Sequence, residues 1–286
     1  MLFLIAVASA VTTQIFCNLS RSKQDFVENL PCLYDLLQLS CVELVQWLHH
    51  QQIILNLMKM QLASVLPILY RLLQPRFSNC LWSGDDNSRA IALTFDDGPH
   101  PRYTPELLAV LDRYQIRASF FWLGACVNRS PEIAKAICDR GHWIGLHGYD
   151  HQSFPLLSPI QLRDTLEKTQ AAIYTACNLP PEQVRDVRPP NGLFTPKILK
   201  YLLQWNYRPV MWSVVPVDWT RPGISTVTQR VSQQVKNGSI IVLHDGAYGG
   251  QDVAATSEIL IPQLLQKGYQ FVTIDTFWQP VKIKNS

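Results

Sequence analysis

The chain has 286 residues, 47% of them hydrophobic, enough to bury a full core as one large α/β domain or as a domain with an appendage. Its 25 basic and 22 acidic side chains leave a net charge of only +3, which argues against a general polyanion-binding surface; no Lys/Arg run is interleaved with aromatics, which argues against nucleic acid as a partner. Cys17, Cys32, Cys41, Cys80, Cys126, Cys138 and Cys177 are odd in number, scattered and without a C-x-x-C pair. That pattern speaks against a disulfide scaffold or a zinc ribbon, and fits a reducing compartment slightly better than an oxidising one.

In chain order, "MLFLIAVASAVTTQIFC" (1–17) is apolar enough for a signal or anchor segment, and "ASA" ending at Ala10 resembles a cleavage site, but the basic n-region of a signal peptide is missing. Arg21 and Lys23 would turn the C-terminal side of a spanning segment toward the cytoplasm, while Thr12, Thr13 and Gln14 interrupt the apolar run. A signal, an anchor with membrane association, and no targeting role all stay open, and localisation with them: exported or membrane-associated in the first two cases, cytoplasmic in the third. Residues 24–57 read as an amphipathic helix with few charges, and "MQLASVLPILYRLL" from Met60 is a second apolar stretch. The compact domain needs none of the first sixty residues, which raises the expectation that translation begins at Met58 or Met60. Residues 1–87 are assigned to an N-terminal hydrophobic, helical extension and 88–286 to the folded domain.

From residue 90 onward short β-rich apolar runs alternate with segments of helical period. Strands are expected at 91–95, 118–123, 143–147, 185–188, 209–214, 239–243 and 270–274. Helices are expected near 104–114, 131–140, 159–177, 196–205, 226–236 and 256–267. Thr104-Pro105, Ser130-Pro131, Ser158-Pro159 and Thr195-Pro196 each set a side-chain cap before a first-turn proline, and Gly141, Gly238 and Gly268 stand where helices should stop. About seven such units without a break predict a mainly parallel sheet closed, or nearly closed, into a β/α barrel with its site at the C-terminal strand ends. The open doubly wound sheet is the rival; no G-x-G-x-x-G or Walker-type loop follows the first strand to support it.

Polar residues out of keeping with a core do fall at successive strand ends: Asp96 and Asp97, His147 with His151, Arg188, Asp218 with Trp219, and His244 with Asp245. His147 and His151, joined by a carboxylate such as Asp97, would make a His₂-carboxylate metal set with open positions, as in catalytic zinc sites. Asp96 would then stay free as the base for a metal-assisted hydrolysis, kept ionised by the metal and by Arg188. His244 could give a proton to a leaving amine, its pKa raised by Asp218. His49, His50, His100 and His142 read as surface or incidental.

These residues resemble the polysaccharide deacetylases of the NodB-homology type, carbohydrate esterase family 4, over roughly residues 88–276. "TFDDGP" (94–99) resembles the family's first motif, carrying the catalytic base to Asp96 and a metal-binding aspartate to Asp97. "HGYDH" (147–151) is similar to the second, with His147 and His151 as metal ligands. "RPPNG" (188–192) resembles the third, whose arginine orients the base. "VDWT" (217–220) is similar to the fourth, with Asp218 tuning the acid and Trp219 lining the acyl pocket, and "IVLHDG" (241–246) to the fifth, with Leu243 in the pocket and His244 as acid. The resemblance implies a distorted (β/α)7 barrel and 88–286 as its catalytic domain. It implies one divalent metal, zinc first and cobalt, nickel or manganese otherwise, and an N-acetylated glycan as substrate.

Three departures stand out. Gly148 replaces the Ser/Thr after the first metal histidine, Asn191 replaces a tyrosine whose backbone N–H serves the oxyanion hole, and Val215 replaces the first aspartate of the fourth motif. None touches the implied metal or acid–base set. The implied reaction is attack of water, deprotonated by Asp96, on an acetamide carbonyl, with the metal and the Asn191 amide stabilising the oxyanion and His244 protonating the amine. Two alternatives remain: an O-acetyl esterase on xylan or a similar polymer, and a catalytically silent carbohydrate-binding barrel.

Overall fold

A strand with a parallel neighbour on each side and layers above and below must be apolar on both faces. β1 (Ala90–Asp96) has this character, with all seven residues buried. The computed structural model describes residues 74–278; the expectations for a signal or anchor, a helix over 24–57 and a start at Met58 or Met60 lie outside them. β1 is followed by β2 (Ser119–Trp122), β3 (Trp143–Leu146), β4 (Asp186–Val187), β5 (Arg208–Pro209), β6 (Ile240–His244) and β7 (Gln270–Phe271). All pair in parallel in the order β5-β4-β3-β2-β1-β6, with β7 against the first residues of β1.

Past β5 the N–H groups of Ser213 and Val214 both donate to the Ile240 carbonyl at 3.0 Å, and Val242 N–H donates to Val214 O at 3.1 Å. The β5 edge thereby curls round to β6, and the result is the expected distorted (β/α)7 barrel. Of the strand expected at 209–214 only the start is regular. Val210 N–H still reaches the Val187 carbonyl of β4 at 2.8 Å, and on the other edge Leu81 joins, its N–H donating to Pro209 O at 2.8 Å and its carbonyl accepting from Met211 N–H at 2.7 Å. Cys80, Leu81 and Trp82 are buried there, so packing extends the barrel domain upstream of residue 88.

Among the described residues seven helices cover the sheet: α1 (Tyr103–Arg113), α2 (Gly124–Arg129), α3 (Pro131–Asp139), α4 (Pro159–Cys177), α5 (Pro196–Gln204), α6 (Ile224–Gln234) and α7 (Val253–Gln266). Strand alternation sorts the core into two clusters. Ile91, Leu93, Phe95, Ile241 and Leu243 pack outward with helix residues such as Leu107 and Leu260. Ala92, Phe121, Met211, Ile240 and Val242 fill the barrel. Burial of each large side chain is worth about 1.5–3 kcal/mol, and a one-residue slip would turn a whole strand's set to the wrong layer, so packing fixes the register. In that register Asp96 lies directly beside His244.

The caps divide. Ser158 forms a capping box with Gln161, and Thr195 accepts from Ile198 N–H at 3.2 Å. Ser130 makes no side-chain cap bond. α1 begins one residue earlier than its expected cap, which leaves Thr104 buried within the first turn and available for another task. α2, at six residues, is too short to show a helical period in the sequence. Its first residue, Gly124, lies so close to α4 that a Cβ would stand 2.9 Å from the Thr169 Cα.

Candidate active site

Consecutive strand residues face opposite sides of a sheet, so two adjacent aspartates in a continued strand could not serve one site. Asp97 leaves the strand with φ +73°. Its Oδ1 thereby stands 3.4 Å from the Nε2 of both His147 and His151. His147 Nδ1–H donates to the Arg188 carbonyl at 2.7 Å, which places the ring proton on Nδ1 and leaves the Nε2 lone pair facing Asp97. Burial, then the neighbouring His151, hold this imidazole well below its ordinary pKa, so it is neutral, as a metal ligand must be.

The three ligand atoms lie within 4.8 Å of one another, and Asp97 Oδ1 is buried without a hydrogen-bond donor among the described residues. An orphaned carboxylate oxygen facing unprotonated imidazole nitrogen is a costly arrangement that a divalent cation resolves. The donor set fits a catalytic metal with positions left for water and substrate.

The loop carrying the two histidines turns at Gly148, φ +80°. The hydroxyl that the expected Ser/Thr would bring is absent, and the loop is held from outside instead. Thr165 on α4 accepts from Tyr149 N–H at 2.8 Å, and the Gly124 and Ala125 N–H groups at the start of α2 donate to the carbonyls of Gly148 and Tyr149 at 3.1 and 2.9 Å.

Asp96 receives the Arg188 Nη1–H at Oδ1, 2.6 Å. Arg188 is fully buried, reaches Thr94 Oγ1 at 2.8 Å and the Met211 carbonyl at 3.0 Å, and stacks 3.9 Å from the Phe121 ring centroid. Burial pushes the Asp96 carboxyl above the usual range, with Arg188 and His244 pulling it back and Asp97 adding to the rise. A raised carboxyl is a stronger base than one in water.

Opposite, His244 Nδ1 is 2.8 Å from Asp218 Oδ1, and the other Asp218 oxygen accepts His244 N–H at 2.8 Å. Burial lowers the His244 pKa, but Asp218 overrides it, aided by Asp97 and Asp96, and brings it up to about 10. Asp218 sits in a single 3-10 turn (Asp218–Thr220) between Val217 and Arg221, both at positive φ. The half-buried Trp219 ring stands edge-on to His244 at 5.1 Å. Asn191 takes φ +58°, is exposed at the rim, and donates its Nδ2–H to Ser153 Oγ at 3.0 Å.

Two sequence readings need correction. Leu243 belongs to the outer core beneath the helices; alternation places Val242, not Leu243, on the barrel-facing side that His244 occupies. His142 is neither surface nor incidental: it is buried, and its Nδ1 accepts Ala118 N–H at 3.1 Å. His100, half-buried, accepts the N–H groups of Arg102 and Tyr103 at its Nδ1, at 3.2 and 3.3 Å, and opens α1. One site residue passed unremarked beyond its place at a strand end. Asp245 is fully buried, and burial, opposed by Thr104 and assisted by Asp97 and Asp96, brings its carboxyl up to about 7.

Known proteins are similar to this chain in sequence and fold. Residues 83–210 match the profile of the polysaccharide deacetylase family. A peptidoglycan-N-acetylglucosamine deacetylase of Bacillus cereus is 36% identical over 199 residues, 68% of this chain and 90% of the relative. A chitooligosaccharide deacetylase of Bradyrhizobium is 32% identical over 194 residues, 64% of this chain and 88% of the relative. The solved structure of a peptidoglycan N-acetylglucosamine deacetylase, in complex with 4-naphthalen-1-yl-N-oxidanyl-benzamide, superimposes with a TM-score of 0.66 at 32% identity, covering 70% of this chain and 92% of that one. With the barrel, the Asp-His-His set and the two flanking acid–base pairs in place, the chain belongs to the polysaccharide deacetylase family.

Proposed function

We propose that the protein hydrolyses the N-acetyl groups of N-acetylglucosamine-containing glycans, peptidoglycan or chitin-like, to acetate and a free amino sugar, with zinc as its metal. The observation that carries this reading is the pairing, in one sheet register, of an arginine-held carboxylate, Asp96, with a carboxylate-held imidazole, His244, beside the Asp97, His147 and His151 ligand set. A divalent metal held by those three residues supplies Lewis acidity when bound, polarising the acetyl carbonyl and acidifying water.

Each remaining step belongs to the chain. Asp96 takes the proton of the attacking water while Arg188 fixes its orientation. The backbone N–H of Asn191 donates to the oxygen that becomes negative. His244, kept protonated by Asp218, delivers its proton to the amine nitrogen as the C–N bond breaks. Trp219 and Val242 bound the space for the acetyl methyl. Each acid–base group is worth about 10² to 10⁴ in rate.

Acetate release from N-acetylglucosamine oligomers and from peptidoglycan by the full chain, after chelation and again after zinc is restored, tests the proposal beside Asp96→Asn. Zinc-dependent release that the variant lacks is expected. Release from acetylxylan alone would select the O-acetyl esterase, and tight zinc binding with no release from any acetylated glycan would select the silent barrel. Action on peptidoglycan places the site outside the cytoplasm, and fractionation of cells with and without residues 1–17 tests whether that segment exports or anchors the protein.

A further inference from the structure

A non-glycine residue at positive φ, such as Asp97, is strained and persists only where its surroundings over-determine it. The surroundings here converge on Asp245. Its carboxylate occupies the space of a side chain at Gly98: a Cβ there would stand 2.3 and 2.4 Å from the two oxygens. The Thr104 hydroxyl donates to Asp245 Oδ2 and accepts the His100 N–H at 2.8 Å. Asp245 N–H donates to the Asp96 carbonyl at 3.1 Å. The next residue, Gly246, lies so close to Asp97 that a Cβ would meet the Asp97 Cβ at 2.4 Å. The end of β6 and Thr104 thus grip residues 96–100 from both sides.

The other oxygen, Oδ1, is fully buried and has no hydrogen-bond partner among the described residues. A carboxyl retained in the interior at that cost is not what packing alone would select, since an apolar side chain of similar size avoids the penalty. We infer that Asp245, through Gly98 and the Thr104 hydroxyl, is a positioning residue that sets the Asp97 loop for metal binding. It acts through the loop backbone and touches neither substrate nor metal. The inference rests on the proposed metal role of Asp97, His147 and His151.

The test is the zinc dissociation constant of the full chain, measured by competition with a chromophoric chelator, beside the melting temperature of the zinc-free protein, for Asp245→Ala, Asp245→Asn and Thr104→Val. Loss of the acceptor in Asp245→Ala, or of the hydroxyl in Thr104→Val, is expected to weaken zinc binding about 10- to 100-fold. Asp245→Asn, whose amide oxygen still accepts from Thr104, should stay within a few-fold of the parent. Unchanged zinc affinity in the alanine and valine variants would overturn the inference, as would an asparagine variant as weak as the alanine one. If the alanine variant does not fold, the valine and asparagine variants decide alone. Failure of the unaltered chain to bind zinc would instead overturn the metal reading itself.

Discussion

Asp96 and Asp186 are both buried aspartates paired with an arginine, at opposite ends of the same barrel. Asp186 opens β4 and is saturated. Arg208 donates to both of its oxygens at 2.8 and 2.9 Å, Trp143 Nε1–H reaches one at 2.6 Å, and Trp278 Nε1–H reaches the other at 2.9 Å. Asp96 closes β1 and takes one side-chain hydrogen bond, at one oxygen. A carboxylate whose lone pairs are all engaged has nothing left to offer a substrate, whereas one held from a single side keeps an oxygen for a proton. Burial and an ion pair do not separate a working aspartate from a structural one; unspent hydrogen-bonding capacity does.

Substitution should divide the two pairs. Asp96→Asn keeps an acceptor for Arg188 but not its counter-charge, and is expected to lower kcat about 10² to 10⁴-fold with a smaller loss of stability than Asp186→Ala, read from acetate release and urea unfolding. Asp186→Ala strands the Arg208 charge and should cost about 3–5 kcal/mol in urea unfolding, with zinc affinity unchanged in the folded protein. The distinction fails if Asp96→Asn destabilises as strongly as Asp186→Ala.

His142, beside Trp143 at the closed end, sharpens it further. Burial lowers its pKa to about 4 from an ordinary 6.5. The unfolded chain therefore binds the proton first, and stability from this residue is complete above about pH 6.5 and lost as pH falls through about 4, a difference of about 3 kcal/mol. His142→Asn, whose amide oxygen can still accept Ala118 N–H, should flatten that part of the stability profile relative to the parent, while the pH dependence of kcat stays in place.

At the open end the pH effect belongs to activity. Asp218 holds His244 protonated well above neutrality, so Asp218→Asn should move the alkaline limb of the kcat profile to lower pH and leave the acid limb where it was. The smallest effect is expected at the rim. Asn191→Gly keeps the positive φ and removes only the bond to Ser153, so kcat/KM should change by no more than about 0.5 kcal/mol in transition-state terms.

Much of this molecule can be read in its residues. β1, β2, β3 and β6 are apolar runs bounded by turn chemistry, and every polar residue singled out at a strand end lies at the barrel mouth. Less visible is which face a residue occupies. In a sheet covered on both sides there is no polar alternation to reveal it, so Leu243 and Val242 look alike until the register is known. Register is a long-range property, and with it the adjacency of Asp96 and His244. Thr104 reads as a cap because its local context is that of one; its bond to Asp245 spans 141 residues of chain. His142 carries no sign of burial, since the apolar pocket around it comes from other strands and helices.

Arg188 joins a base to a barrel. Its two terminal nitrogens reach Thr94 and Asp96 on β1 and the backbone at Met211 beyond β5, and Thr94 passes the connection on to the Ile241 carbonyl of β6. Selection for chemistry and selection for folding therefore act on one side chain. A lineage released from the reaction could shed His244 with little harm to its fold, but the buried arginine would go on needing its aspartate, so the Asp96–Arg188 pair would outlast the activity it serves.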